Sequence, residues 1–209
     1  MTGLTPRRRD RKRLRVTPSA KMARGKSTIA AALADALRGH GRAVIQASVD
    51  GFHRPRSERY RQGSDSAAGY YEDSFDYDAL RSNLLLPLGP EGSRRYRWEV
   101  FDYRTDSPLD LPFETAPNDA ILIADGIFLL RPELIDLWEF RIFVDVSFEI
   151  ALRRALIRDR DLFGSEEAVR ERYIERYFPA QQLYLESARP MERADAIVIN
   201  GGATPRVLI

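Results

Sequence analysis

Ala120-Ile-Leu-Ile-Ala-Asp125 runs five apolar residues straight into one acid. A strand without polar alternation has no solvent face, so helices must cover it on both sides, as in a parallel sheet. Phe140-Arg-Ile-Phe-Val-Asp145 and Ala196-Ile-Val-Ile-Asn200 repeat the pattern, and Ala43-Val-Ile-Gln-Ala-Ser48 reads as a short buried strand leading to Val49-Asp50. Helical spacing lies between them, at 26–38, 76–86, 148–162, 166–177 and 180–187, with Gly39-His-Gly41 as a stop after the first helix. The expectation is an α/β fold with a mostly parallel sheet, whose ligands sit at the carboxyl ends of the strands. Asp50 and Asp125 both fall there.

Gly25-Lys26-Ser27-Thr28 runs into the first helix. Free N–H groups at such a helix start converge on an anion, the lysine adds a point charge, and the neighbouring hydroxyl can hold Mg²⁺. Read as phosphoryl-transfer chemistry, Lys26 would sit on the β- and γ-phosphates and Ser27 would hold Mg²⁺. Asp125 would bind that Mg²⁺ directly or through water, and Asp50 would take the proton of an acceptor hydroxyl. Singly, each aspartate is more simply a turn former or helix cap. Together with Gly25-Lys-Ser-Thr28 they point to one crevice.

The upstream side does not fit. Ala20 stands where a phosphate loop has its first glycine, and Arg11-Lys-Arg-Leu-Arg-Val-Thr-Pro18 stands where an apolar central strand should feed that loop. Buried charge is costly and proline cannot donate to a ladder, so the first strand is expected to be missing or altered. Read one base earlier, suitable codons for Ser19-Ala-Lys-Met-Ala23 can spell an apolar residue followed by Gly-Lys-Asp-Gly-Ala, which joined to Gly25-Lys-Ser27 restores the glycine. An alanine in a left-handed loop position costs about 1–2 kcal/mol. The chain as written is therefore expected to bind ATP more weakly than a version with the loop restored. Calorimetry on the two checks this, and equal affinities would refute it.

Residues 1–26 hold 10 Lys/Arg against one acid, +9, while the remainder holds 23 basic against 30 acidic residues, −7. An acidic body with a short basic leader lacks the basic face that wraps nucleic acid, so no nucleic-acid partner is expected. Residues 1–24 read as a disordered basic leader and 25–209 as the domain. With no cysteine, no membrane-length apolar run and no signal peptide, the reading is a cytoplasmic protein without membrane association. Oligomeric state is not readable.

Several segments resemble the uridine kinase and phosphoribulokinase-like family of P-loop kinases, over roughly residues 25–200. Ala47-Ser-Val-Asp50-Gly-Phe-His-Arg-Pro55 is similar to that family's strand-end acid and aromatic segment, which implies Asp50 as catalytic base; His53 within it could orient a substrate hydroxyl or base, while a lone histidine in a polar loop is more simply solvated. Tyr70-Tyr-Glu-Asp-Ser-Phe75-Asp76 resembles its Phe-Asp segment, pointing to Asp76 as a contact of substrate hydroxyls. Phe101-Asp102-Tyr103-Arg104 resembles its acceptor-site segment, Ile123-Ala-Asp125-Gly126 its metal-associated acid, and Arg153-Arg154 through Arg158-Asp159 its lid helix, with Arg158 as the lid arginine. The resemblance implies a three-layer P-loop NTPase-type fold using ATP and Mg²⁺. Gly25, Lys26, Ser27, Thr28 and Arg158 would serve the nucleotide, and His53, Asp76, Tyr103 and Arg104 the acceptor. The expected activity is ATP-dependent phosphorylation of a hydroxyl on a nucleoside-like, sugar-like or vitamin-like alcohol. The alternative is a degraded, non-catalytic kinase fold that keeps the acceptor pocket.

Overall fold

The computed structural model describes residues 13–20, 26–201 and 205–209. Six strands form one sheet: β1 (Leu14–Ala20), β2 (Val44–Ser48), β3 (Ile121–Asp125), β4 (Phe140–Asp145), β5 (Ala196–Ile199) and β6 (Arg206–Leu208). Their order is β6-β5-β4-β1-β3-β2, parallel throughout except for β6, which pairs antiparallel with β5. The expected parallel sheet is present, with β6 added beyond the last strand anticipated. Helices α1 (Lys26–Gly39), α2 (Ala67–Asp73), α3 (Phe148–Arg158), α4 (Glu166–Arg172) and α5 (Phe178–Ala188) accompany it.

β3 is buried at every residue, and its side chains alternate between two cores. Ile121 and Ile123 pack with Val16, Ile142 and Val144 against Ala30 and Ala34 of α1. Leu122 and Ala124 join the larger cluster with Phe52, Phe75, Leu84, Phe128 and Tyr184 on the opposite face. Helices on both faces are what an apolar strand without alternation requires. The wide Ala/Leu stripe of α1 lets that helix lie close to the sheet.

β1 corrects the expectation of a missing first strand, because Leu14–Ala20 is a seven-residue strand at the centre of the sheet. Its unfavourable residues are each answered from elsewhere in the chain. Arg15, only 6% exposed, pairs with Glu139 through Nη2 at 2.5 Å and Nε at 3.1 Å, and Nη1 donates to the Leu85 carbonyl at 3.1 Å. Pro18 has no N–H for the neighbouring strand, and pairing with β3 runs only from Leu14 to Val16 before resuming as a single bridge at Ser19 and Gly126. There the Thr17 hydroxyl donates to the Ala124 carbonyl at 2.9 Å, occupying the acceptor that faces the proline. Ser19 meets the Tyr184 hydroxyl of α5 at 3.2 Å. A buried charge or a proline is tolerated in a strand when its polar groups are satisfied in this way.

Between the second and third strands, Phe101–Asp102 pairs with Ser107–Pro108 as a short antiparallel ribbon outside the main sheet. The helix expected at 76–86 is Tyr77–Leu80 continued by a wider π turn to Leu85. Among the described residues no helix is long and apolar enough to cross a membrane. Residues 1–12 and 21–25, which carry most of the expected leader and the glycine-poor loop, lie outside the described residues.

Candidate active site

The sheet brings the start of α1 to the carboxyl end of β3. Ser27, in the first turn of α1, donates its hydroxyl to Asp125 Oδ2 at 2.8 Å, across 98 residues of sequence. Asp125 ends a strand that is apolar until that point, is 9% exposed, and lies in register with Ser48, the last residue of β2. Two hard oxygen donors thus meet beside a helix N-terminus whose first turn carries no acid, a setting suited to a hydrated cation and the anion it accompanies. Thr28 is exposed beside Ser27. Gly25 and the Lys26 side chain lie outside the described residues.

On the neighbouring strand tip the chain turns at once into a 3₁₀ segment, Val49–Phe52, capped by Ser48, whose hydroxyl accepts from the Asp50 amide at 3.3 Å. The cap fixes Asp50 just outside the sheet. Gly51 lets the turn press against the Trp98–Glu99 backbone, because a Cβ on it would stand 2.5 Å from Glu99 Cβ and 3.0 Å from its Cα. Between the two segments lies a cavity of about 280 Å³, lined by Asp50, Trp98, Glu99, Phe101, Tyr103 and Arg104 among others. Carboxylates and aromatic faces around a space of that size suit a small, hydroxyl-bearing molecule.

His53 stands behind this cavity, between Phe75 at 4.5 Å and Tyr103 at 4.9 Å between ring centroids. Its Nδ1 lies 2.9 Å from the Asp50 carbonyl and donates to it, which leaves Nε2 as the acceptor nitrogen. Burial is the main cause holding the His53 pKa below its ordinary value of 6.5, against the pull of the nearby Asp50 carboxylate. The imidazole is thus neutral at pH 7. Arg104 covers the Tyr103 ring at 5.7 Å, and its Nε reaches the Tyr103 hydroxyl at 3.4 Å. Asp102 is engaged by its own loop, accepting from the Arg104 amide and the Thr105 hydroxyl at 2.9 Å each, which lowers its pKa.

The structure thus brings together Asp50, Tyr103 and Arg104 around one cavity, His53 behind it, and Ser27 with Asp125 at the adjacent edge. Asp76 sits differently. It caps the helix Tyr77–Leu80 by accepting from the Ala79 amide at 2.9 Å, and its own amide donates to the Phe52 carbonyl at 2.7 Å. It is not among the residues lining the cavity. Arg158 is occupied by a two-pronged pair with Asp159 at 2.5 and 2.6 Å and by the Tyr173 hydroxyl at 2.8 Å. Those partners raise the Arg158 pKa, and burial raises that of Tyr173. Trp98 and Glu99 carry no sequence signal beyond their position just before Phe101-Asp102-Tyr103.

The profile of the Phosphoribulokinase / Uridine kinase family matches residues 17–205. A uridine kinase of Bacillus mycoides (strain KBAB4) is 24% identical over 182 residues, covering 85% of this chain and 81% of its own. A solved structure described as a possible uridine kinase from Bacillus stearothermophilus superposes with a TM-score of 0.69 at 25% identity, covering 89% of this chain and 88% of that one. Phosphoribulokinase from Rhodobacter spheroides shares the fold at a TM-score of 0.64 and 16% identity, over 93% of this chain and 72% of that one.

Proposed function

The chain belongs to the phosphoribulokinase and uridine kinase family and is a small-molecule kinase, and from that premise we propose that it moves the γ-phosphoryl group of ATP to a hydroxyl bound between Asp50 and Tyr103. The observation that carries the reading is the meeting of Ser27 and Asp125 at 2.8 Å on the strand end next to the Asp50 turn. A donor site and an acceptor site then share one edge of the sheet. Asp50 accepts the proton of the acceptor hydroxyl as its oxygen forms a bond to the γ-phosphorus. The bond from that phosphorus to the bridging oxygen breaks, and ADP leaves.

The donor pair fits Mg²⁺, a hard cation that takes oxygen ligands and keeps few protein contacts. When bound, it would neutralise charge on the phosphates. Ser27 and Asp125 would hold it, Lys26 and the first N–H groups of α1 would hold the phosphates, and Arg158 would serve them from the lid. His53 and Tyr103 orient the acceptor, with neutral Nε2 available to accept from a hydroxyl.

An ATP-consumption screen over nucleosides, sugars and vitamin-like alcohols, run on the wild type and on Asp50→Asn, tests the reading. Turnover with at least one alcohol that falls in the variant supports it. An acceptor that binds without any ATP being consumed would favour a non-catalytic binding protein.

A further inference from the structure

The family name spans acceptors that carry a phosphate and acceptors that do not, and the residues around the cavity distinguish the two. Asp50, Glu99 and Asp102 line it against one cation, Arg104. The arginines flanking it are committed elsewhere: Arg59 to Asp106 at 2.9 Å and Arg54 to Glu58 at 3.1 Å. Farther along the lid side, Arg172 holds Asp65 at 2.6 Å, and Arg176 donates to the carbonyls of Ser64, Gly63 and Arg59. Among the described residues, the cavity wall therefore carries more negative than positive charge.

Glu99 differs from the other two acids. Asp102 is satisfied by its own loop, and Asp50 holds the base position. Glu99 is half-buried on the cavity wall, and among the described residues no hydrogen bond or ion pair engages its carboxylate. Burial, with the Asp102 charge beside it, raises its pKa. A carboxyl group on a cavity wall with no donor among the described residues gains from a ligand that brings hydroxyl donors, and it loses from one that brings a second anion. Trp98 and Phe101 add flat apolar surface next to it.

Resting on the reading of this cavity as the acceptor site, we propose that Glu99 determines specificity by accepting hydrogen bonds from acceptor hydroxyls, so that the enzyme selects an uncharged, hydroxyl-rich acceptor over a phosphorylated or carboxylated one. Asp50 deprotonates the hydroxyl that reacts, and Glu99 reads those that do not.

The test is equilibrium binding to the full chain of three matched pairs: fructose and fructose 6-phosphate, glycerol and glycerate, uridine and uridine 5′-monophosphate. In the wild type the neutral member of at least one pair is expected to bind at least tenfold more tightly than its anion, and added salt narrows that gap by screening the repulsion. Glu99→Gln is expected to weaken the neutral member about tenfold and to leave the anion unchanged or tighter. Far-ultraviolet circular dichroism confirms that the variant is folded, and the wild-type ratio decides the charge preference without it. Anions binding as well as or better than their neutral partners, no neutral member binding at millimolar concentration, or a variant that weakens both members equally would each overturn the proposal. Selective neutral binding with no ATP consumption would instead overturn the kinase reading and leave the Glu99 assignment standing. Phosphorylation of an anionic member in preference to its neutral partner would do the reverse.

Discussion

Asp50→Asn is expected to lower kcat by about 10²–10⁴, the range in which a positioned general base contributes, while acceptor affinity changes by less than about threefold. The substitution keeps the shape of the side chain and removes its ability to take a proton. What holds the residue in place does not involve the carboxylate: the Ser48 hydroxyl accepts from the Asp50 amide, and the Asp50 carbonyl accepts from His53. The turn should therefore stay as it is. Single-turnover phosphorylation, with acceptor binding measured separately by calorimetry, separates the two effects. A kcat within threefold of wild type would remove Asp50 from the base role, and a matching loss of binding would make it a binding residue instead.

Legibility in the sequence differs by element, and the difference has a physical origin. The run from Ala120 to Asp125 announces a strand covered on both faces, because nothing polar interrupts it until the sheet ends. Asp125 is legible for the same reason, as the acid that ends that run, whereas the strand before Asp50 carries Gln46 and Ser48, lies at the sheet edge and is only partly buried. β1 is not legible, because the partner that makes Arg15 tolerable, Glu139, lies 124 residues away and the acceptor facing Pro18 is satisfied by a neighbouring threonine hydroxyl. Local patterning carries no trace of either contact.

Glu99 is hidden by a similar distance effect. It sits in a stretch without periodicity, and only the bare backbone of Gly51 lets that stretch close over the Asp50 turn. Asp76 illustrates an ambiguity rather than a hidden contact: an aspartate before a short helix satisfies the rules for a cap and for a substrate contact equally well, and here its carboxylate caps. The same reasoning applies to Arg158. A dense cluster of arginines suggests phosphate binding, yet this one is held by Asp159 and Tyr173, so serving a nucleotide requires it to exchange those partners for phosphate oxygens.

Asp125→Asn is the second large effect expected, and it falls on the nucleotide rather than the acceptor. The variant keeps an oxygen able to accept from Ser27 at the 2.8 Å position, so the helix start and strand end should remain joined. What it loses is a full negative charge at a site that is 9% exposed, where a cation's attraction is screened less than at the surface. Whether Asp125 ligates the metal or holds its water, residues in either position change metal affinity by about 10- to 100-fold when altered. Calorimetric titration should accordingly show the magnesium complex of ATP binding about 10- to 100-fold more weakly to the variant, with metal-free ATP nearly unaffected. Acceptor binding, measured at the Glu99 side of the cavity, should not move. Equal weakening of ATP with and without magnesium would mean that the Ser27 and Asp125 contact organises the phosphate-binding turn itself, and the cation would then have to be placed elsewhere on that edge.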